Sequence, residues 1–93
     1  MHKYETVLVF QADLEEVALN ALVESVETLI NSVGELTKID RWGKRKLAYP
    51  IREQFEGYYV YMTFDGEPSE IANIKRTLGY NEQILRYIIV RLD

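Results

Sequence analysis

A chain of 93 residues with 47% hydrophobic and 28% charged side chains, five Gly and two Pro has the size and composition of one folded domain, because a chain this short buries only about 60–65% of its unfolded surface and supports a single core. It has no cysteine, which excludes disulfides, thiolate nucleophiles and cysteine-based zinc or iron–sulfur sites. The net charge of −4 argues against a uniformly basic nucleic-acid binder, and the lack of any apolar run of about 18 residues or more predicts a soluble chain with no membrane span and no secretory leader.

Residues 3–10 alternate with a period of two, Tyr4, Thr6, Leu8 and Phe10 against Glu5, Val7 and Val9, and predict a first strand. Asp13 is placed to cap a helix, with Glu16 completing a capping box. Leu14, Val17, Ala18, Ala21, Leu22, Val26, Leu29 and Ile30 then fall at helical spacing on one apolar face, and Gly34 offers a left-handed stop. Residues 35–47 predict a more polar strand with apolar points at Leu36, Ile39, Trp42 and Leu47, and Gly43 inside it marks a bulge or bend.

Tyr49-Pro50-Ile51, the polar Arg52-Glu53-Gln54 and Gly57 read as a long hairpin connection. Tyr58–Phe64 is a third strand. Pro68 opens a second helix with Ile71, Ile74 and Leu78 on its buried face, Gly79 closes it, and residues 84–92 make the last strand. The order β-α-β-β-α-β predicts a ferredoxin-like α+β fold, a four-stranded antiparallel sheet with two helices on one face. Leu8, Leu22, Val26, Ile30, Val60, Phe64, Leu78 and Ile89 are the expected core. Alternation then sends Val7, Val9, Tyr59 and Tyr61 to the opposite, open face, where apolar and aromatic side chains mark a binding or oligomer surface.

The charge is unevenly spread. Residues 1–37 sum to −6 and residues 53–93 to −3, whereas residues 38–52 sum to +5 through Lys38, Arg41, Lys44, Arg45, Lys46 and Arg52 against Asp40 alone. Lys and Arg neutralise phosphates and release counterions, giving affinity without base reading. The run reads either as a solvated hairpin that keeps an edge strand from aggregating or, for Lys44, Arg45, Lys46 and Arg52 with His2, Lys3, Arg86 and Arg91 at strand ends, as the candidate RNA contacts. Tyr49, Pro50, Ile51, Tyr59 and Tyr61 are the candidate contacts to a protein partner.

Catalytic constellations are missing from the sequence. His2 is the only histidine and lies at a terminus, so neither a Ser/His/Asp site nor a histidine metal site is expected. The glycines at 34, 43, 57, 66 and 79 are too scattered for a phosphate-cradling loop. No catalytic residue, metal or cofactor is predicted.

The run Arg41-Trp42-Gly43-Lys44-Arg45-Lys46-Leu47-Ala48-Tyr49-Pro50-Ile51, followed by Gly57-Tyr58-Tyr59, resembles the signature of the bacterial small-subunit ribosomal protein six family. The likeness extends to Tyr4-Glu5 on the first strand, the element order and Ile84-Leu85-Arg86 entering the last, but the chain stops at Asp93 without the acidic tail of some members. The resemblance implies a cytoplasmic ribosomal protein with the ferredoxin-like fold, placed on the central domain of small-subunit ribosomal RNA as a heterodimer with small-subunit protein eighteen. A basic companion would supply the charge this chain lacks. Two other readings share the topology: a dimeric regulatory or small-molecule-binding module with its open sheets packed together, and an acyl-phosphate hydrolase. The hydrolase wants a basic anion-binding loop after the first strand, where Gln11-Ala12-Asp13 presents an acid.

Overall fold

The computed structural model describes residues 1–93. Its elements are β1 (His2–Gln11), α1 (Glu16–Val33), β2 (Gly34–Ile51), β3 (Gln54–Gly66), α2 (Pro68–Tyr80) and β4 (Ile84–Arg91). The four strands form one sheet in the order β2-β3-β1-β4, and every neighbouring pair is antiparallel. This is the predicted ferredoxin-like arrangement.

Register explains why the period-two pattern produces a two-faced sheet. Tyr4, Thr6, Leu8 and Phe10 sit opposite Phe64, Met62, Val60 and Tyr58, and on the other side Thr6 and Leu8 sit opposite Ile89 and Tyr87. Side chains at these paired positions share the face that the helices cover. They join Leu19, Leu22, Val23, Val26 and Ile30 of α1 and Ile74 and Leu78 of α2 in a core cluster of 14 buried residues. Seven of the eight predicted core residues belong to that cluster, and Ile89 packs against it half-buried.

The predicted face of α1 is rotated in the structure. Val17, Ala18 and Ala21 are exposed, while Leu19 and Val23 are buried. The small and β-branched residues at 17, 18 and 21 fit helical spacing as well as the true face does, and only the sheet beneath selects between them. Asp13 does not cap the helix: its carboxylate accepts a 2.6 Å hydrogen bond from the Gln11 side chain, and α1 begins three residues later with Glu15 at the N-cap and no side-chain cap. Gly34 is extended rather than left-handed, because the chain passes directly from α1 into β2 against the backbone of Asp65. Gly79 lies inside α2, which runs on to Tyr80.

The predicted long connection between the second and third strands is absent. β2 continues through Tyr49, Pro50 and Ile51, and only Arg52 and Glu53 separate it from β3. Both turn residues have positive φ, 49° and 66°, as a two-residue type I′ hairpin turn requires. Proline ordinarily demotes a strand, but β2 is an edge strand, where a missing N–H leaves no partner unsatisfied. Between the Lys46↔Glu56 and Ile51↔Gln54 pairs β2 advances five residues while β3 advances two. The surplus on one strand bends the hairpin, as bulges do, and this distal arm curls over the open face.

Under the arm is a second, smaller core that the sequence reading did not separate from the open face. Val9, Leu47 and Leu85 are buried together, with Ile51 and Tyr59 packed against them. Leu85 reaches it as the unpaired residue of a bulge, since Phe10 pairs with Ile84 and Val9 with Arg86. Gly57 makes the close approach possible: a Cβ there would run into Val9 and lie 3.3 Å from Leu47. The signal for this core was the period-two spacing of Leu47, Tyr49 and Ile51.

Candidate functional site

Beyond the arm, the open face carries an aromatic and cationic network built around a bulge. Arg41 pairs with Val60 and Gly43 with Tyr59, so Trp42 has no cross-strand partner. Gly43 takes φ +90°, a conformation that glycine adopts without a Cβ penalty. Thus released, the Trp42 ring stacks on Tyr61 with centroids 5.5 Å apart and planes within 6°. The Arg45 guanidinium lies 5.2 Å from the Trp42 centroid and 5.8 Å from that of Tyr59, and the Lys38 ammonium lies 6.0 Å from Tyr61, within the range where a ring face attracts a cation.

The Tyr61 hydroxyl donates a 2.8 Å hydrogen bond to the Glu5 carboxylate. That bond, reinforced by desolvation and the negative charge of Glu5, raises the phenol above its ordinary pKa of 10.0, so Tyr61 is a neutral donor at physiological pH. Trp42, Lys38 and Glu5 were not singled out as site residues from sequence. The available signal was an aromatic beside a bulge-forming glycine, two residues from Asp40, whose carboxylate accepts from the Trp42 indole N–H at 3.3 Å.

The eight candidate RNA-contact residues fall into two groups at opposite ends of the sheet. Lys44, Arg45 and Lys46 pair with Tyr58, Gly57 and Glu56, at the end of β3 that faces Gln11. Arg86, opposite Val9, and Arg52 in the hairpin turn belong to the same end. His2, Lys3 and Arg91 lie at the other end, roughly 20–25 Å away along β1 at about 3.3 Å per residue. The candidate partner residues are likewise divided. Tyr49, Pro50 and Ile51 lie on the arm, and Tyr59 and Tyr61 on the sheet below and beside it.

The two ends differ in how their charges are satisfied. Asp93 accepts from the Arg91 guanidinium at 3.2 Å, and its other oxygen accepts from the Lys3 backbone N–H at 3.3 Å. His2 lies 3.5 Å from the same carboxylate. No cation of residues 38–52 forms an ion pair within the chain; the salt bridges are confined to Met1–Glu67, His2–Asp93 and Arg91–Asp93. Arg41 turns to the helix side and bonds Asn20. Arg52 donates to the carbonyl of Glu82 at 2.6 Å, and Arg86 to the Tyr49 hydroxyl at 3.0 Å. Lys44 and Lys46 are exposed, with no ion-pair partner. No helix is long and apolar enough to cross a membrane.

A helix-backed antiparallel sheet whose other face carries Arg45 and Lys38 over stacked aromatic rings is a ferredoxin-like α+β fold. Comparison with known proteins gives the family. A profile of the Ribosomal protein S6 family matches residues 3–91. The chain is 44% identical to small ribosomal subunit protein bS6 of Caldanaerobacter subterraneus subsp. tengcongensis, an alignment covering 100% of this chain and 99% of that protein. It is 40% identical to the bS6 of Moorella thermoacetica, covering 100% and 96%. The crystal structure of 30S ribosomal protein S6 from Thermotoga maritima superposes with a TM-score of 0.92 at 26% identity, covering 98% of this chain and 87% of that one. The chain belongs to the Ribosomal protein S6 family, proteins of the small ribosomal subunit, and its place of work is the ribosome in the bacterial cytoplasm.

Proposed function

We propose that the chain acts, as one domain, as a non-catalytic structural constituent of the small ribosomal subunit, binding the central domain of its ribosomal RNA together with small-subunit protein eighteen. The observation that carries this reading is the cluster of unpaired cations, Lys44, Arg45 and Lys46, in a chain whose acids outnumber its bases 15 to 11. Intramolecular acids are plentiful, yet the salt bridges leave these three free. Charges left free in this way are available to phosphate. Among these three and His2, Lys3, Arg86 and Arg91 at the strand ends, about four meet phosphate.

Four or so phosphate contacts lose roughly a hundredfold in affinity between 50 and 200 mM salt, so this chain alone binds its RNA weakly. A Lys- and Arg-rich partner is drawn to the acidic flanks, docks on Tyr49, Pro50, Ile51, Tyr59 and Tyr61, and adds the missing contacts. The test is a titration of central-domain RNA with this protein, with the basic partner and with both, at about 150 mM salt, where screening is physiological. The pair binds far more tightly than either component. Replacing Lys44, Arg45 and Lys46 by Ala lowers the log-affinity versus log-salt slope by about 0.9 per lost contact, taking the duplex value as a guide. Nanomolar binding by this chain unaided, or no gain from the partner, overturns the reading.

A further inference from the structure

Arg52 resembles Lys44 and Lys46 in the sequence, but its head group is already engaged. One guanidinium nitrogen donates to the backbone carbonyl of Glu82 at 2.6 Å and lies 3.5 Å from that of Ile84. Glu82 lies in the turn that leads into β4 and Ile84 is the first residue of that strand, on the far side of β1 from the hairpin. Arg52 therefore ties the tip of the arm across the sheet.

Three features of the arm make such a tie consequential. The turn places Arg52 and Glu53, neither Gly nor Asn, in the left-handed region, a conformation that persists only when its surroundings impose it. The core beneath has only three buried residues. Between arm and sheet a cavity of about 70 Å³ remains, lined by Val9, Leu47, Tyr49, Ile51, Tyr59 and Arg86 among others, so packing alone does not lock the arm. The second polar tie, from Arg86 to the Tyr49 hydroxyl at 3.0 Å, holds its flank.

We infer that Arg52 is a positioning residue for partner docking and not a phosphate ligand: it pins the arm so that the Tyr49-Pro50-Ile51 surface is formed before the basic partner arrives. This rests on the partner-assisted function proposed above. An arm that had to be ordered on binding would subtract backbone and side-chain entropy from the association. A pinned arm has that cost met during folding, and the pin is charge-assisted, the stronger kind of hydrogen bond.

The experiment uses the full chain as wild type, Arg52→Ala and Arg52→Lys. Hydrogen exchange is followed residue by residue, and RNA binding with the basic partner is measured across a salt series. In Arg52→Ala, amides of the arm from Leu47 to Glu56 exchange about tenfold faster, the scale set by losing a hydrogen bond from a charged donor, while those of α1 and β1 keep the wild-type rate. Partner-assisted affinity falls several-fold and the salt slope is unchanged. Arg52→Lys keeps the charge but not the planar fork, and its arm still exchanges faster than wild type. Unchanged exchange in Arg52→Ala together with a slope reduced by about 0.9 and restored by Lys identifies a phosphate ligand and overturns the inference. Faster exchange with wild-type partner affinity overturns the positioning role. A wild-type chain that gains nothing from the partner refutes the proposed function instead, and the exchange rates then still report whether Arg52 pins the arm.

Discussion

The two faces of the sheet are built from the same alternating strands and do different work. The helix-covered face is a continuous aliphatic and aromatic core, with Leu8, Phe10, Val60, Met62 and Phe64 almost wholly removed from water. The other face has a three-residue core at one end only. The rest is a layer of rings, cations and hydrogen bonds, with Ile88 and Val90 exposed along β4. Stability is concentrated on the first face, and the assembly surface we propose lies on the second. Substitutions on the first should unfold the protein without touching recognition chemistry, and those on the second should alter assembly at small cost in stability.

The largest effect is expected from Ile30→Ala, which empties a site 1% exposed on the buried face of α1. It should cost roughly 2–5 kcal/mol in denaturant unfolding, as buried Leu or Ile truncations do; a loss below about 0.5 kcal/mol, the level of a surface change, would mean that the covered face does not carry the fold. Leu47→Ala removes a third of the small core under the arm and should cost about 2 kcal/mol, the low end of that range, because the bent hairpin can partly collapse. Equal costs at the two positions would erase the energetic distinction between the faces.

Thr6→Val sharpens the contrast from the other direction. Thr6 is 2% exposed on the covered face and its hydroxyl has no hydrogen-bond partner, so a methyl of the same shape should stabilise by about 1 kcal/mol, read as a higher urea midpoint. Smallest is the effect of Asp93→Asn. Desolvation pushes the Asp93 carboxyl up, but the hydrogen bonds from Arg91 and the Lys3 N–H, with the charges of His2 and Arg91, outweigh it and hold the group below its ordinary 3.8. A depressed carboxyl contributes stability above its unfolded pKa and loses it as the pH falls through the folded value. The wild-type advantage over Asp93→Asn should therefore be present at neutral pH, fade below about pH 3.8 and shrink with added salt, as exposed pairs do. An advantage independent of pH would show that packing and not charge holds that end of the sheet.

Much of this was legible without a structure. Element order, the covered face of β1 and β3, the bulge at Gly43 and the basic middle segment follow from residue periodicity and from the special backbone conformations of glycine, which are local properties. The run around Trp42 carries the family signature for the same reason. What resisted was whatever depended on which element lies opposite. Leu19 and Val23 displace Val17 and Ala21 on α1 because of where the sheet sits, and helical spacing alone admits either face. Pro50 reads as a loop residue until β2 proves to be an edge. Arg52 is one more basic residue of a basic segment until the hairpin bends and brings it to the carbonyls of Glu82 and Ile84. Sequence by itself determined the strands, the helices and the sign of the charge along the chain. The division between cations tied down and cations left free was decided only by the tertiary structure, because a charge is satisfied by neighbours remote in sequence that folding brings within hydrogen-bonding distance.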